Sequence, residues 1–315
     1  MHAAVLGHPI SHSLSPILHN AAYRALGLDW QYEAIDVEPG NLPELLTDKL
    51  LNQDDWVGFS VTMPLKPEIV PWLNSIAKQI PGTEIAISPL VTATGAANTL
   101  VKLGIYPSSC GPRVPDPSSC GPRRGIAGSL QPENESNAYS LIAENTDVAG
   151  IVAAIREIHP SGSLTKIAIL GAGATAASAL AAAQELGAKE IAIYTRASTD
   201  LKPIREVAAR LGITFAARDI AAAATELPEF DAVISTMPKH AADPIAAKLE
   251  SANGVLLDVI YDPRPTALQK KWSELGGKTV SGERMLLHQA ARQVELMTGQ
   301  KAPLKAMERA LAAVL

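Results

Sequence analysis

Apolar positions along the chain fall into short runs that alternate between two characters. His2–Gly7, Trp30–Val37 and Trp56–Thr62 read as strands, and helix-like stretches follow Pro16, Asn41 and Pro67. A second series begins at Lys166, with strands expected at 166–170, 190–195, 213–216, 231–235, 255–260 and 278–281 and helices between them. Two last helices follow near 285–298 and 302–314. Strands alternating with helices favour a mostly parallel sheet covered on its faces, so the fold class is α/β. Six strands with crossover helices after a glycine turn make the second series a Rossmann arrangement. At 315 residues there is room for two domains, each with its own core.

Composition narrows the picture. Apolar residues make up 47% and charged residues 19%, as in a globular chain. A formal charge of -5 offers no electrostatic reason to expect nucleic acid or a membrane surface as partner. No apolar run reaches the roughly 18 residues that span a bilayer. Met1-His-Ala-Ala-Val-Leu-Gly7 reads as a first strand and not as a signal peptide. Both cysteines, Cys110 and Cys120, lie in one segment, which fits a cytoplasmic protein without structural disulfides. In that segment Pro107-Ser-Ser-Cys-Gly-Pro-Arg113 recurs as Pro117-Ser-Ser-Cys-Gly-Pro-Arg123. Its Pro, Gly and Ser content supplies no core, so 107–137 reads as an insertion at a surface loop. Two thiols without further ligands fall short of a metal site, and no metal is expected.

The chemistry concentrates in short motifs. Lys166-Ile-Ala-Ile-Leu-Gly171-Ala172-Gly173-Ala174-Thr175-Ala176 is a strand that breaks into Gly-x-Gly-x-x-Ala and then a helix. Its glycines permit a tight turn and close approach to a pyrophosphate, and the helix N-terminus supplies amide donors. An NAD site places an acid at the end of the second strand, about 20 residues on. Here that strand ends in Thr195-Arg196, and the first acid is Asp200. A guanidinium suits a 2′-phosphate, which points to NADP, with a solvated strand-end charge as the alternative.

Ser13 and Ser15 flank Leu14 before Pro16, an arrangement that serves either a helix N-cap or the grip of a carboxylate. Lys66 follows a strand end after Thr62 and Pro64, where open α/β sheets place ligand groups. With a carboxylate beside it, such a lysine passes a proton to and from an alcohol; otherwise it is a surface lysine. Asp147 of Asn145-Thr-Asp147 is the candidate carboxylate, in a cluster that is equally a helix cap. Asn98 of Gly95-Ala-Ala-Asn98 offers an amide to a hydroxyl or forms a turn into a strand.

In this order the motifs resemble the shikimate dehydrogenases, nearly from Met1 to Leu315 apart from the insertion. The resemblance implies that Ser13 and Ser15 bind the shikimate carboxylate, that Lys66 and Asp147 are the catalytic pair, and that Thr62 and Asn98 touch substrate hydroxyls. Asp258-Val-Ile-Tyr261-Asp-Pro-Arg-Pro-Thr266 and Met285-Leu-Leu-His-Gln289-Ala-Ala look like the family's later signatures. They add Tyr261 and Gln289 on the substrate side. Val259 and Gly282 are implied at the nicotinamide, and Thr236 among the cofactor-binding residues. The implied architecture is an N-terminal open, mostly parallel α/β substrate domain over 1–147 and a C-terminal Rossmann domain over 148–284. Helices in 285–315 would return to the first domain.

The chain departs from the pattern at several places. The Asn-Arg-Thr cofactor clamp is Thr195-Arg196-Ala197, Ala143-Glu144 replaces Gly-Asp, and Arg284 replaces a small residue. The Lys66–Asn98 spacing is also long, and the insertion must loop out for the site to assemble. The expected activity is reversible, NADP-dependent oxidation of shikimate to 3-dehydroshikimate by a monomer or homodimer. The rivals are a quinate/shikimate or aminoshikimate dehydrogenase and, from another class, a catalytically silent sensor of these acids.

Overall fold

The computed structural model describes residues 1–80, 84–103 and 140–315; the repeated segment with Cys110 and Cys120 lies outside them. The strands are β1 (His2–Gly7), β2 (Gln31–Asp36), β3 (Trp56–Val61), β4 (Glu84–Ile87), β5 (Thr99–Leu103), β6 (Ser140–Glu144), β7 (Lys166–Leu170), β8 (Glu190–Thr195), β9 (Ala216–Asp219), β10 (Ala232–Ser235), β11 (Val255–Asp258) and β12 (Lys278–Ser281). The helices are α1 (Ser15–Ala25), α2 (Leu42–Leu46), α3 (Lys66–Gln79), α4 (Pro89–Thr94), α5 (Thr146–Ile158), α6 (Ala174–Glu185), α7 (Lys202–Leu211), α8 (Ala223–Glu226), α9 (Asp243–Lys248), α10 (Ala267–Glu274), α11 (Gly282–Thr298) and α12 (Leu304–Ala312).

They build two six-stranded sheets. The first has the order β2-β1-β3-β5-β6-β4, in which β5 alone runs against its neighbours. The second has the order β12-β11-β10-β7-β8-β9 and is parallel throughout, which is the Rossmann order. Side chains of successive strand residues alternate between faces, so each sheet divides its apolar residues between two cores. In β7, Ile167 and Ile169 enter one core and Ala168 and Leu170 the other. In β1, Ala4 and Leu6 face one side, while Ala3 and Val5 face Leu287, Ala290 and Val294 of α11 and Met307 and Leu311 of α12.

Two helices belong to both halves. α5 leaves β6 of the first sheet and buries Val148, Ile151, Ala154 and Ile155 in a core of the second. α11 starts at Gly282, buries Met285 in that same core, and then covers the first sheet. Among the described residues no helix is long and apolar enough to cross a membrane, and no cluster of three or more His, Cys, Asp or Glu could hold a metal ion.

The third Rossmann strand lies at Ala216–Asp219 and not at 213–216, as the apolar pattern suggested. β9 is an edge strand with every side chain exposed, while Ile213 and Phe215 before it pack against the core. Hydrophobicity therefore marked the approach to the strand.

Candidate active site

The carboxyl ends of β1, β3 and β6 share one edge of the first sheet, where an open α/β sheet gathers ligand groups. Because β5 is antiparallel, its beginning lies at that edge, which is why Asn98 precedes its strand. Lys66 is the first residue of α3 and only 7% exposed. Its Nζ donates to Asp147 Oδ2 at 2.5 Å. Asp147 stands in the first turn of α5 and is 3% exposed. The positive end of that helix favours its carboxylate. Asn98 Nδ2 donates to the other oxygen, Asp147 Oδ1, at 2.7 Å. Each carboxylate oxygen thus has a partner, and the pair is shielded from water.

Asn145 does act as the N-cap of α5, since its Oδ1 accepts from the Asp147 backbone N–H at 3.2 Å. The cap and the catalytic candidate are therefore one structure and not alternatives. Asn145 Nδ2 also donates to Thr94 Oγ1 and to Ser178 Oγ, both at 3.1 Å. Ser178 lies on α6, so the cap ties the first sheet's edge to the helix that follows the glycine turn. Glu144 accepts from the Asn145 backbone N–H at 2.7 Å and from Ser88 Oγ at 2.6 Å.

The serine pair does not cap α1 in the expected way. Leu14 is the N-cap residue, without a side-chain bond, and Pro16 is the second helical residue. Ser13 Oγ accepts from the Ser15 backbone N–H at 3.3 Å, and the Ser15 hydroxyl has no partner among the described residues. Both hydroxyl hydrogens remain free to donate. Thr62 is half-buried, its backbone held by Leu6 and Leu65 and its hydroxyl unpaired among the described residues. Tyr261 is half-buried on the loop after β11, where burial and the neighbouring Asp262 charge push its phenol up. Gln289 lies half-buried on α11 opposite Gly150 of α5. Direct contacts join Lys66, Asn98 and Asp147. Ser13 and Thr62 sit on loops and Ser15 starts α1 at the same sheet edge, and Tyr261 and Gln289 come from other elements.

The second sheet's carboxyl edge carries the candidate cofactor groups. Gly171 has φ +101°, and a Cβ there would strike Thr236 Oγ1, which is pinned by its bond to the Leu170 carbonyl at 2.8 Å. Gly173 is the N-cap of α6 and has no side chain to satisfy the first-turn amides of Ala174, Thr175 and Ala176. A Cβ at Gly173 would meet nothing within 4 Å, so open space lies before those donors. An uncapped helix end facing open space fits a pyrophosphate. Gly282 packs so closely on the Val259 carbonyl that a side chain would collide with it. Thr195 is buried at the end of β8, and Arg196 beside it is exposed; its carbonyl accepts from the Thr199 backbone N–H at 2.9 Å, and its guanidinium has no ion pair or hydrogen bond among the described residues. The donor at that strand end is thus a free cation, which fits a 2′-phosphate and not an unmodified ribose.

Arg284 is engaged away from this edge. It forms a two-pronged pair with Glu157 at 2.8 and 2.5 Å and reaches Glu308 at 2.6 Å, while His288 Nε2 meets Glu157 Oε1 at 2.6 Å. Sequence reasoning missed Ser178 and Gln293. For Ser178 the signal is a polar residue inside a buried run of small ones, Ala177-Ser178-Ala179; for Gln293 it is a polar residue at helical spacing from Ala290 and Met297 on the buried face of α11.

Comparison with known proteins follows the same lines. Residues 5–100 match the model of the shikimate dehydrogenase substrate binding domain, and residues 282–312 that of the shikimate 5'-dehydrogenase C-terminal domain. The chain is 30% identical to shikimate dehydrogenase (NADP(+)) of Methanothermobacter thermautotrophicus, over 99% of this chain and 95% of that one. Against shikimate dehydrogenase (NADP(+)) of Thermosynechococcus vestitus the identity is 32%, over 99% and 94%. The crystal structure of Mycobacterium tuberculosis shikimate dehydrogenase matches with TM-score 0.74 and 32% identity, covering 100% of this chain and 99% of that one.

Proposed function

The chain belongs to the shikimate dehydrogenase family, and from that premise we propose how its own residues carry out the NADP-dependent, reversible oxidation of shikimate to 3-dehydroshikimate. The observation that carries this assignment is the buried Lys66–Asp147 pair, with Asn98 on the second carboxylate oxygen. Bound NADP+ supplies the acceptor for the hydride that leaves the ring carbon. The protein's part is to hold the ring and to move the proton.

Ser13 and Ser15 donate their free hydroxyl hydrogens to the substrate carboxylate, which fixes one end of the ring. Thr62, Tyr261 and Gln289 bind its other polar groups, and Asn98 offers its second amide hydrogen to a ring hydroxyl. Lys66 faces the reacting hydroxyl and, with Asp147, takes its proton as one coupled unit. In the reverse direction the same pair returns the proton to the carbonyl oxygen. Burial strengthens the interaction of the ammonium with the developing oxyanion.

On the cofactor side, Gly171, Ala172, Gly173, Ala174, Thr175 and Ala176 cradle the pyrophosphate. Thr195 and Arg196 hold the 2′-phosphate, and Thr236, Val259 and Gly282 line the nicotinamide end. Residues 1–147 form the substrate domain, 148–284 the cofactor domain and 285–315 the returning helices. The enzyme works in the cytoplasm as a monomer or homodimer, with neither nucleic acid nor a membrane as partner.

Initial rates with shikimate and with quinate, each with NADP+ and with NAD+, test the assignment. Turnover mainly with shikimate and NADP+ is expected. Faster turnover with quinate or NAD+ would move the enzyme to the quinate/shikimate branch. Tight binding without turnover would make it a sensor.

A further inference from the structure

Helix α11 carries a polar side chain that no step above uses. Gln293 is only 1% exposed, on the face that lays Ala290, Val294 and Met297 against the first sheet. A buried carboxamide needs acceptors for its two N–H groups. Gln293 Nε2 donates to Thr99 Oγ1 at 3.2 Å and to Thr146 Oγ1 at 3.1 Å. These threonines adjoin Asn98 and Asp147 in the chain and stand on β5 and α5.

The direction of the bonds is what matters. A hydroxyl has one hydrogen, so each threonine that accepts from Gln293 has its own hydrogen left to place. Asn98 Oδ1 takes both, at 2.9 Å from Thr99 Oγ1 and 3.1 Å from Thr146 Oγ1. The Thr146 backbone N–H adds a third donor at 2.8 Å. With three donors on its oxygen, the Asn98 amide is held from turning over, and Nδ2 is left facing Asp147 Oδ1. Asp147 Oδ2 then remains for Lys66. The two hydroxyls lie 3.1 Å apart, so without Gln293 they are free to bond to each other and release Asn98.

We infer that Gln293 is a positioning residue: by donating to Thr99 and Thr146 it sets the bond direction that orients Asn98 and, through it, the Lys66–Asp147 pair. This rests on the catalytic reading of that pair given above. Gln293 itself touches neither substrate nor reacting atoms.

Shikimate oxidation across pH is to be compared for the parent, Gln293→Met, which fills the space without donors, and Gln293→Glu, which offers only acceptors when ionised. Expected are a fall in kcat of roughly tenfold to a hundredfold, the span of one lost hydrogen bond to a charged group. KM for shikimate should move by less than about threefold, and the acid limb of the kcat profile should shift to higher pH. A lower Tm with kcat and the profile unchanged overturns the inference. So does a raised KM at unchanged kcat, which would put Gln293 in substrate binding. Should either variant not fold, Thr99→Val must show the same kcat loss and the same shift, and its failure to do so overturns the inference. If the parent oxidises no shikimate, the functional reading fails separately. The positioning role is then read from labelling of Lys66 with acetic anhydride against pH. A displaced curve in Gln293→Met supports the role, and a superimposable one overturns it.

Discussion

Lys66 and Asp147 are both buried, and removal of one leaves the other's charge uncompensated, a loss of about 3–5 kcal/mol. Lys66→Ala should therefore lower Tm as well as cut kcat by about a hundredfold to ten-thousandfold with little change in KM. Lys66→Met combined with Asp147→Asn separates the effects. Melting should recover in that double variant, because no bare charge remains, and turnover should not. Restored turnover would place the chemistry elsewhere. Arg196→Gln should raise KM for NADP+ roughly tenfold or more and leave NAD+ kinetics unchanged, since the charge-assisted bonds go to the 2′-phosphate. An equal rise for both cofactors would refute that role. His19 is fully buried and stacked on Tyr32 at 3.8 Å, its Nδ1 bound to the Ser15 carbonyl and its Nε2 without a partner. Burial lowers its pKa from 6.5 to about 4 against the pull of the Ser15 bond and of the neighbouring Gln293 side chain. As pH falls the unfolded chain takes up this proton first, so the stability present above pH 6.5 is lost towards pH 4. The loss is at most roughly 3 kcal/mol. Urea midpoints between those limits should slope with pH in the parent and flatten in His19→Gln; equal slopes would count against the assignment. Lys66 and Asp147 stand out in the sequence through their motifs, and the structure joins them directly, but nothing local marks His19 or Gln293 as bonded to a site.

At the scale of elements, strands buried on both faces announced themselves. β7, β8, β10 and β11 are continuous apolar runs, as parallel central strands must be. β9 and β4 are exposed or half-exposed edge strands of four residues, so their burial leaves little pattern to read. β5 and β6 were hidden for another reason. They pair with each other across the long stretch 104–139, and no local pattern reports so distant a partner. Their antiparallel register joins Leu103 directly to Ser140. A two-residue Asn-Gly turn in place of 104–139 is therefore expected to keep kcat within about twofold and Tm unchanged or higher. A large loss of either would show that the inserted segment contributes to the enzyme.

At the scale of the molecule, α5 and α11 bind the two sheets together, and the Arg284–Glu157–His288–Glu308 group links α5, α11 and α12. Burial works to raise the Glu157 carboxyl, but the bonds from Arg284 and His288 outweigh it and hold the group below the usual range. Arg284→Ala should cost about 1–2 kcal/mol, between the worth of an exposed and a buried pair, and lower Tm by about 2–6 °C. An unchanged Tm at low and high salt would show that the group contributes nothing. By itself the sequence determined the α/β class, the Rossmann half, the glycine turn and the residue types offered for catalysis, because periodicity and turn chemistry act over a few residues. Only the tertiary structure decided which of those residues meet. Lys66 and Asn98 reach Asp147 from 81 and 49 positions away, brought there by an antiparallel strand and a helix that starts at the same sheet edge. Burial then makes each of those bonds obligatory, since an unpaired polar group in that interior has no water to turn to.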